Sequence, residues 1–274
     1  MKHAALPSRI VSSAWLLLSL LCLAWGSSLA QTSDLSAAQL MAGVKAARPL
    51  GGVYTRIRIE HDAGGGAEPV ILQAQLKRRD HPGGGSDHLY QILFPAERKG
   101  EGLLLHINGT HVTGSIRDGS GIRPLTGKDR SQPLFGTTLM IEDLIAEFLN
   151  WPGPEALGTE EIDRVPCRRI RLQRPSGSAS ALRQVELWVD EKRYVTQRID
   201  AWTGRGDAPD RRVETDKVVR GANDYFIPAS FTVRDLHSSA ATRVEGVRSV
   251  SDVSYTDADF EPAALGEVSG PPRS

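Results

Sequence analysis

The chain of 274 residues lacks most of the features that announce a chemistry. Its two cysteines are Cys22 and Cys167, and the first falls in the N-terminal leader. Loss of that leader leaves Cys167 alone, which excludes an internal disulfide and reads as a small buried hydrophobe. Basic and acidic residues balance at 33 each. No charge excess draws the chain as a whole to a polyanion, so nucleic acid is not an expected partner. Aromatics make up 6%. The longest apolar run, from Ala14 to Trp25, is about a dozen residues, short of the roughly 18 to 20 that cross a bilayer. No Gly-x-Ser-x-Gly elbow occurs, and Gly119-Ser120-Gly121 has the wrong spacing for one. The triplets Gly64-Gly65-Gly66 and Gly83-Gly84-Gly85 lack the Lys-Ser/Thr and helix start of a phosphate loop. Neither catalytic residues nor a cofactor are expected.

What is there begins with export. Lys2 and Arg9 precede the apolar run, and Ser28, Leu29 and Ala30 before Gln31 fit a cleavage site. Residues 1–30 are therefore expected to be a signal peptide. Lipoprotein processing at Cys22 is disfavoured because Leu21 is not small. The remainder suits one large β domain.

That remainder opens on a helix, with Leu35, Ala38, Leu40, Met41 and Val44 at helical spacing and Asp34 or Ser36 as its cap. The period then switches to two. Val53, Thr55, Ile57 and Ile59 alternate with Tyr54, Arg56, Arg58 and Glu60, and Val70, Leu72, Ala74 and Leu76 repeat the pattern, as in an antiparallel sheet wetted on one face. Asn108-Gly109 predicts a two-residue turn that places Leu103, Leu105, Ile107 and Val112 on one face and sets His106 opposite His111. Two histidines without a third ligand fall short of a metal set, so no metal site is expected.

A second amphipathic helix is predicted from Ile141, Leu144, Ile145, Phe148 and Leu149, stopped by Pro152. Glu142 and Asp143 diverge by about 100° around such a helix and read as dipole-matched capping rather than an acid–base pair. Strands resume at Val185–Val189, Val195–Ile199, Val213–Val219, Ile227–Val233 and Val244–Val250. The Gly/Pro/Ser-rich residues 266–274 read as a flexible tail.

The order of Pro133-Leu134-Phe135-Gly136, Ile141-Glu142-Asp143-Leu144, Val185-Glu186-Leu187-Trp188-Val189-Asp190, Arg198-Ile199-Asp200, Ile227-Pro228 and Asp257 to Phe260 resembles the outer-membrane lipoprotein-sorting, LolA-like family. The resemblance runs from about Val53 to Leu265 by sequence pattern. It implies an incomplete antiparallel β-barrel, a curved sheet over residues 31–265, with a few helices covering the open, concave side. It further implies a periplasmic, non-enzymatic carrier in a Gram-negative envelope that holds lipid or the acyl chains of a lipoprotein and deals with an inner-membrane transporter or envelope protein. The alternative use of the fold is an envelope-stress sensor or scaffold that binds a protein partner. Where relatives carry Ser and an aromatic before the Glu-Asp pair, this chain has Met140-Ile141, which moves the expected helix cap to Thr137 or Thr138. The residues expected to line a lipid cavity are Leu89, Leu93, Leu103, Leu105, Leu144, Ile145, Phe148, Trp188 and Phe231.

Overall fold

In the computed structural model the described residues are 35–47, 50–221 and 225–271, so the leader and its expected cleavage after Ala30 lie outside them. The chain divides into two units, Met1–Leu35 and Ser36–Ser274, and the second holds every element below. It starts with α1 (Ala37–Ala46), closed at its N-terminus by a reciprocal cap. Ser36 Oγ accepts from the Gln39 N–H at 3.2 Å, and Gln39 Oε1 accepts from the Ser36 N–H at 2.9 Å.

One meander follows, of β1 (Gly52–Asp62), β2 (Val70–Asp80), β3 (Ser86–Phe94), β4 (Gly102–Asn108), β5 (His111–Asp118) and β6 (Gly121–Pro124). A second comprises β7 (Glu155–Ile162), β8 (Val165–Gln173), β9 (Gln184–Asp190), β10 (Val195–Trp202), β11 (Arg211–Arg220), β12 (Phe226–Asp235) and β13 (Ala241–Ser251). Antiparallel pairing of β1 with β13 fuses them into a single sheet in the order β6-β5-β4-β3-β2-β1-β13-β12-β11-β10-β9-β8-β7. The sheet is curved and does not close, which makes it the incomplete antiparallel barrel the resemblance implied. Its two edges, β6 and β7, are consecutive in the chain. Residues 125–154 must therefore travel from one edge to the other, and this strap crosses one face of the sheet.

The period of two assigns the faces. Ile57, Ile59, Leu72, Ala74, Val233 and Val244 belong to the strap-covered face. On the outer face, the 3₁₀ turns Asp257–Phe260 and Pro262–Gly266 seat Phe260 and Leu265 on Leu89 and Leu104. Further along that face charge replaces grease. Glu186 sits between Arg169 and Arg171, and Asp200 between Arg198 and Arg212.

Several sequence expectations are corrected here. The β4–β5 turn is Gly109-Thr110, because Gly109 at φ 61° takes the first central position, so Asn108 pairs with His111 and His106 with Thr113. The shift is two residues, so Leu103, Leu105, Ile107 and Val112 keep their common face. The helix expected over 141–149 is broken. An α-helix, α2 (Ile141–Ile145), ends at Ala146 in the left-handed conformation (φ 49°, ψ 43°), and a 3₁₀ turn, Glu147–Asn150, follows. Neither Thr137 nor Thr138 caps it, since the residue before α2 is Met140, whose N–H is taken by the Asp143 carboxylate at 2.7 Å. Strands β7 and β8 were not expected, because exposed Glu155, Thr159, Glu160 and Glu161 give the edge strand no apolar alternation.

Candidate functional site

The strap has an apolar underside and polar moorings. A tight loop, with Leu134 N–H bonded to Leu139 O at 2.7 Å, presses both leucines toward the sheet, and Ile141 and Ile145 continue the contact from α2. Beneath them Leu72, Ile92, Leu103 and Leu105 are completely buried. Each such side chain contributes about 1.5–3 kcal/mol by leaving water.

Three groups of hydrogen bonds moor the strap. At the β12–β13 end, Thr138 Oγ1 donates to Val233 O at 3.1 Å, and Thr138 N–H donates to Thr242 Oγ1 at 2.9 Å. Beside it Arg211 Nη2 reaches Asp143 Oδ2 at 2.6 Å and Thr138 O at 2.8 Å. Burial pushes the Asp143 carboxyl above the usual carboxylate range against the pull of Arg211. Over the β3–β4 connection, Arg98 Nη1 donates to Phe135 O at 3.3 Å.

The third group is buried. Arg130 donates from Nε to Glu142 Oε2 at 2.6 Å, from Nη2 to Glu142 Oε1 at 2.9 Å, and from Nη2 to Glu147 Oε2 at 2.7 Å. The remaining carboxylate lone pairs accept from the Ser180 and Ser178 hydroxyls, each at 2.5 Å. Burial opposes the Arg130 charge, but the bonds to Glu142 and Glu147 outweigh it and hold its pKa above the ordinary guanidinium value. One guanidinium thus ties the strap's 3₁₀ turn at Gly127–Ser131, α2 and the Glu147 turn to the β8–β9 loop.

The nine residues expected to line a cavity do not all meet. Leu103, Leu105 and Ile145 lie in the strap-covered cluster, and partly buried Leu144 and Phe231 pack against it. Phe148 is buried on the turn after α2. Leu89 is fully buried on the outer face, among Leu104, Phe260 and Leu265. Leu93 is half-buried and is the extra residue of a bulge where Gln73 and Ala74 pair with Phe94 and Ile92. Register places Trp188 with Arg198 and Arg169, on the outer face. Those guanidinium carbons stand 4.4 and 5.1 Å from its ring centroid, and its Nε1–H donates to Glu160 Oε2 at 2.9 Å. Cys167 is buried, and burial with nearby Asp190 pushes its thiol up to about 11, so it is protonated at neutral pH. Sequence reasoning missed Arg130, Ser178, Ser180 and Arg211. Their partners lie 12 to 73 residues away, beyond any local period.

A family model described as "-like: Uncharacterized protein" matches residues 85–267. The chain belongs to that family. No curated protein matches it. Among solved structures, a DUF1329 family protein from Desulfovibrio piger shares 15% identity at a TM-score of 0.77, over 84% of this chain and 97% of that one. A putative outer membrane lipoprotein-sorting protein domain from Vibrio parahaemolyticus shares 14% at 0.76, over 85% and 100%. A LolA superfamily protein from Nitrosomonas europaea shares 17% at 0.64, over 83% and 98%. The common ground is the LolA-like fold.

Proposed function

We propose that this protein is a periplasmic carrier that binds the acyl chains of lipid or lipoprotein non-covalently on the strap-covered face and performs no catalysis. The observation that carries the reading is the construction of the cover, apolar where it meets the sheet and polar where it is moored. Re-exposing Leu134, Leu139, Ile141 and Ile145 costs about 6–12 kcal/mol, and burying an acyl chain of about fourteen methylenes contributes about 11. The two are of equal size, so a ligand can take the place of the strap without a charged partner. The match in fold to a protein described as a sorting protein supports the same reading.

Native mass spectrometry of the protein taken from its own cell envelope tests it. Bound masses of phospholipid or acylated protein, and displacement of an apolar dye by fatty acid, are the expected result. A reproducibly empty protein held by a stable protein partner overturns it in favour of a scaffold.

A further inference from the structure

Ile57 and Ile59 belong to the strap-covered face, so Arg56 and Arg58 beside them point outward. Over much of this outer face each arginine is matched by an acid. Arg169 and Arg171 share Glu186, Arg198 and Arg212 share Asp200, Arg234 meets Glu214 at 3.0 Å, and Arg243 meets Asp216 at 3.5 Å. The seam that joins the two meanders breaks the pattern. There Arg56 on β1 stands directly opposite Arg248 on β13. Arg58, the next outward residue of β1, is taken by Glu60 at 3.3 Å. Arg56 and Arg248 are both exposed, and neither side chain has an ion-pair or hydrogen-bond partner among the described residues. Like charges directly opposite one another in a sheet are destabilising, and an anion from outside relieves them.

Exposed valines flank the pair. β13 carries an extra residue at this point, Val247, between Gly246 opposite Ile57 and Arg248 opposite Arg56, and it is 65% exposed. Two residues beyond Arg248, Val250 lies opposite Tyr54, on the same face as the arginines, and is 37% exposed. Guanidinium groups match phosphate oxygens in paired N–H···O bonds. A free phosphate in water gives the valines nothing to meet. At a bilayer surface the phosphates lie directly above hydrocarbon that receives such side chains.

We propose that the Arg56–Arg248 seam docks the outer face on an anionic phospholipid surface, with the two guanidiniums on headgroup phosphate and Val247 and Val250 at the edge of the acyl layer. Basic and acidic residues of the whole chain balance at 33 each, so the attraction comes from this local excess. It is weak and reversible, because two arginines at such a surface strengthen partitioning only about 25-fold. The seam lies on the opposite side of the sheet from the strap, and the inference does not rest on what the strap-covered face holds.

Parent and variant proteins recovered from the same cell envelope are sedimented with vesicles of phosphatidylcholine containing one third phosphatidylglycerol, and with vesicles of phosphatidylcholine alone. The parent is expected on the anionic vesicles and is released as salt rises from about 0.05 to about 0.5 M. Arg56→Gln and Arg248→Gln each weaken partitioning about fivefold, and together about 25-fold. Val247→Ser weakens it about threefold. Arg205→Gln makes the same charge change in the exposed turn between β10 and β11, and it partitions as the parent does. Arg248→Gln melts no lower than the parent, since it removes one charge of a repelling pair. A lower melting temperature with unchanged partitioning marks the two arginines as a structural stack and overturns the proposal. Equal partitioning onto uncharged vesicles also overturns it. Saturation by glycerol phosphate below about millimolar, without vesicle binding, makes the seam a small-anion site and overturns the membrane surface. Lipid retained by the protein is measured in the same samples and is equal in all of them. Its absence defeats the carrier reading and leaves the docking result standing.

Discussion

Arg130 Nε lies 2.6 Å from Glu142 Oε2, with the two side chains 5% and 0% exposed. The same guanidinium holds Glu147 at 2.7 Å. In an unbroken helix residues five apart point about 140° from each other, so both carboxylates cannot face one partner. The left-handed Ala146 between them turns Glu147 back toward Arg130. The ion cluster and the broken helix are one feature.

Arg130→Ala leaves two carboxylates buried without their cation and lowers stability by about 3–5 kcal/mol, read by urea unfolding. Because Arg130 moors the strap, the variant also takes up an apolar dye faster than the parent. Unchanged dye kinetics in a folded variant would separate the mooring from access to the face.

Ala146→Gly removes the cost of a left-handed L-residue, part of which the freer unfolded chain takes back. A gain of up to about 1 kcal/mol is expected. Ala146→Val loses about 1–2 kcal/mol, since a β-branched side chain fits that conformation poorly. Thermal melts of the pair check both signs.

Asp200 makes stability depend on acid. Burial opposes its charge, but Arg198 and Arg212 hold its pKa below the ordinary carboxylate value. On acidification the unfolded chain takes the proton first, so this contribution is full above about pH 4 and is lost as pH falls through the folded-state value. Asp200→Asn is less stable at pH 7 and has a shallower decline in melting temperature between pH 5 and 3. Parallel curves for parent and variant would refute the assignment.

The C-terminal residues bind where the sequence suggests only a tail. Ser269 O accepts from Gln75 Nε2 at 2.9 Å and Ser269 Oγ from Lys77 Nζ at 2.7 Å, both partners being buried. A chain ending at Gly266 loses about 1–3 kcal/mol. Equal unfolding midpoints with and without residues 267–274 would show that the bonds contribute nothing.

The alternation in β1, β2 and β9, a cap at Asp34 or Ser36 and the common face of Leu103, Leu105 and Ile107 were legible in the sequence, because each is a local period or a contact a few residues long. The strap's route, the break at Ala146 and the assembly of Arg130, Glu142, Glu147 and Ser180 were not. An apolar stripe reads the same for a straight and a broken helix, and the choice is made by an arginine eleven residues before it. Leu89 and Trp188 show the same division. Their burial was foreseeable, but the face each occupies depends on register accumulated across the sheet and on which segment covers that face. Local chemistry determined which residues are strands and which avoid water. Only the tertiary structure decided what they avoid water against, because pairing of distant charges and the crossing of the strap are properties of the closed chain.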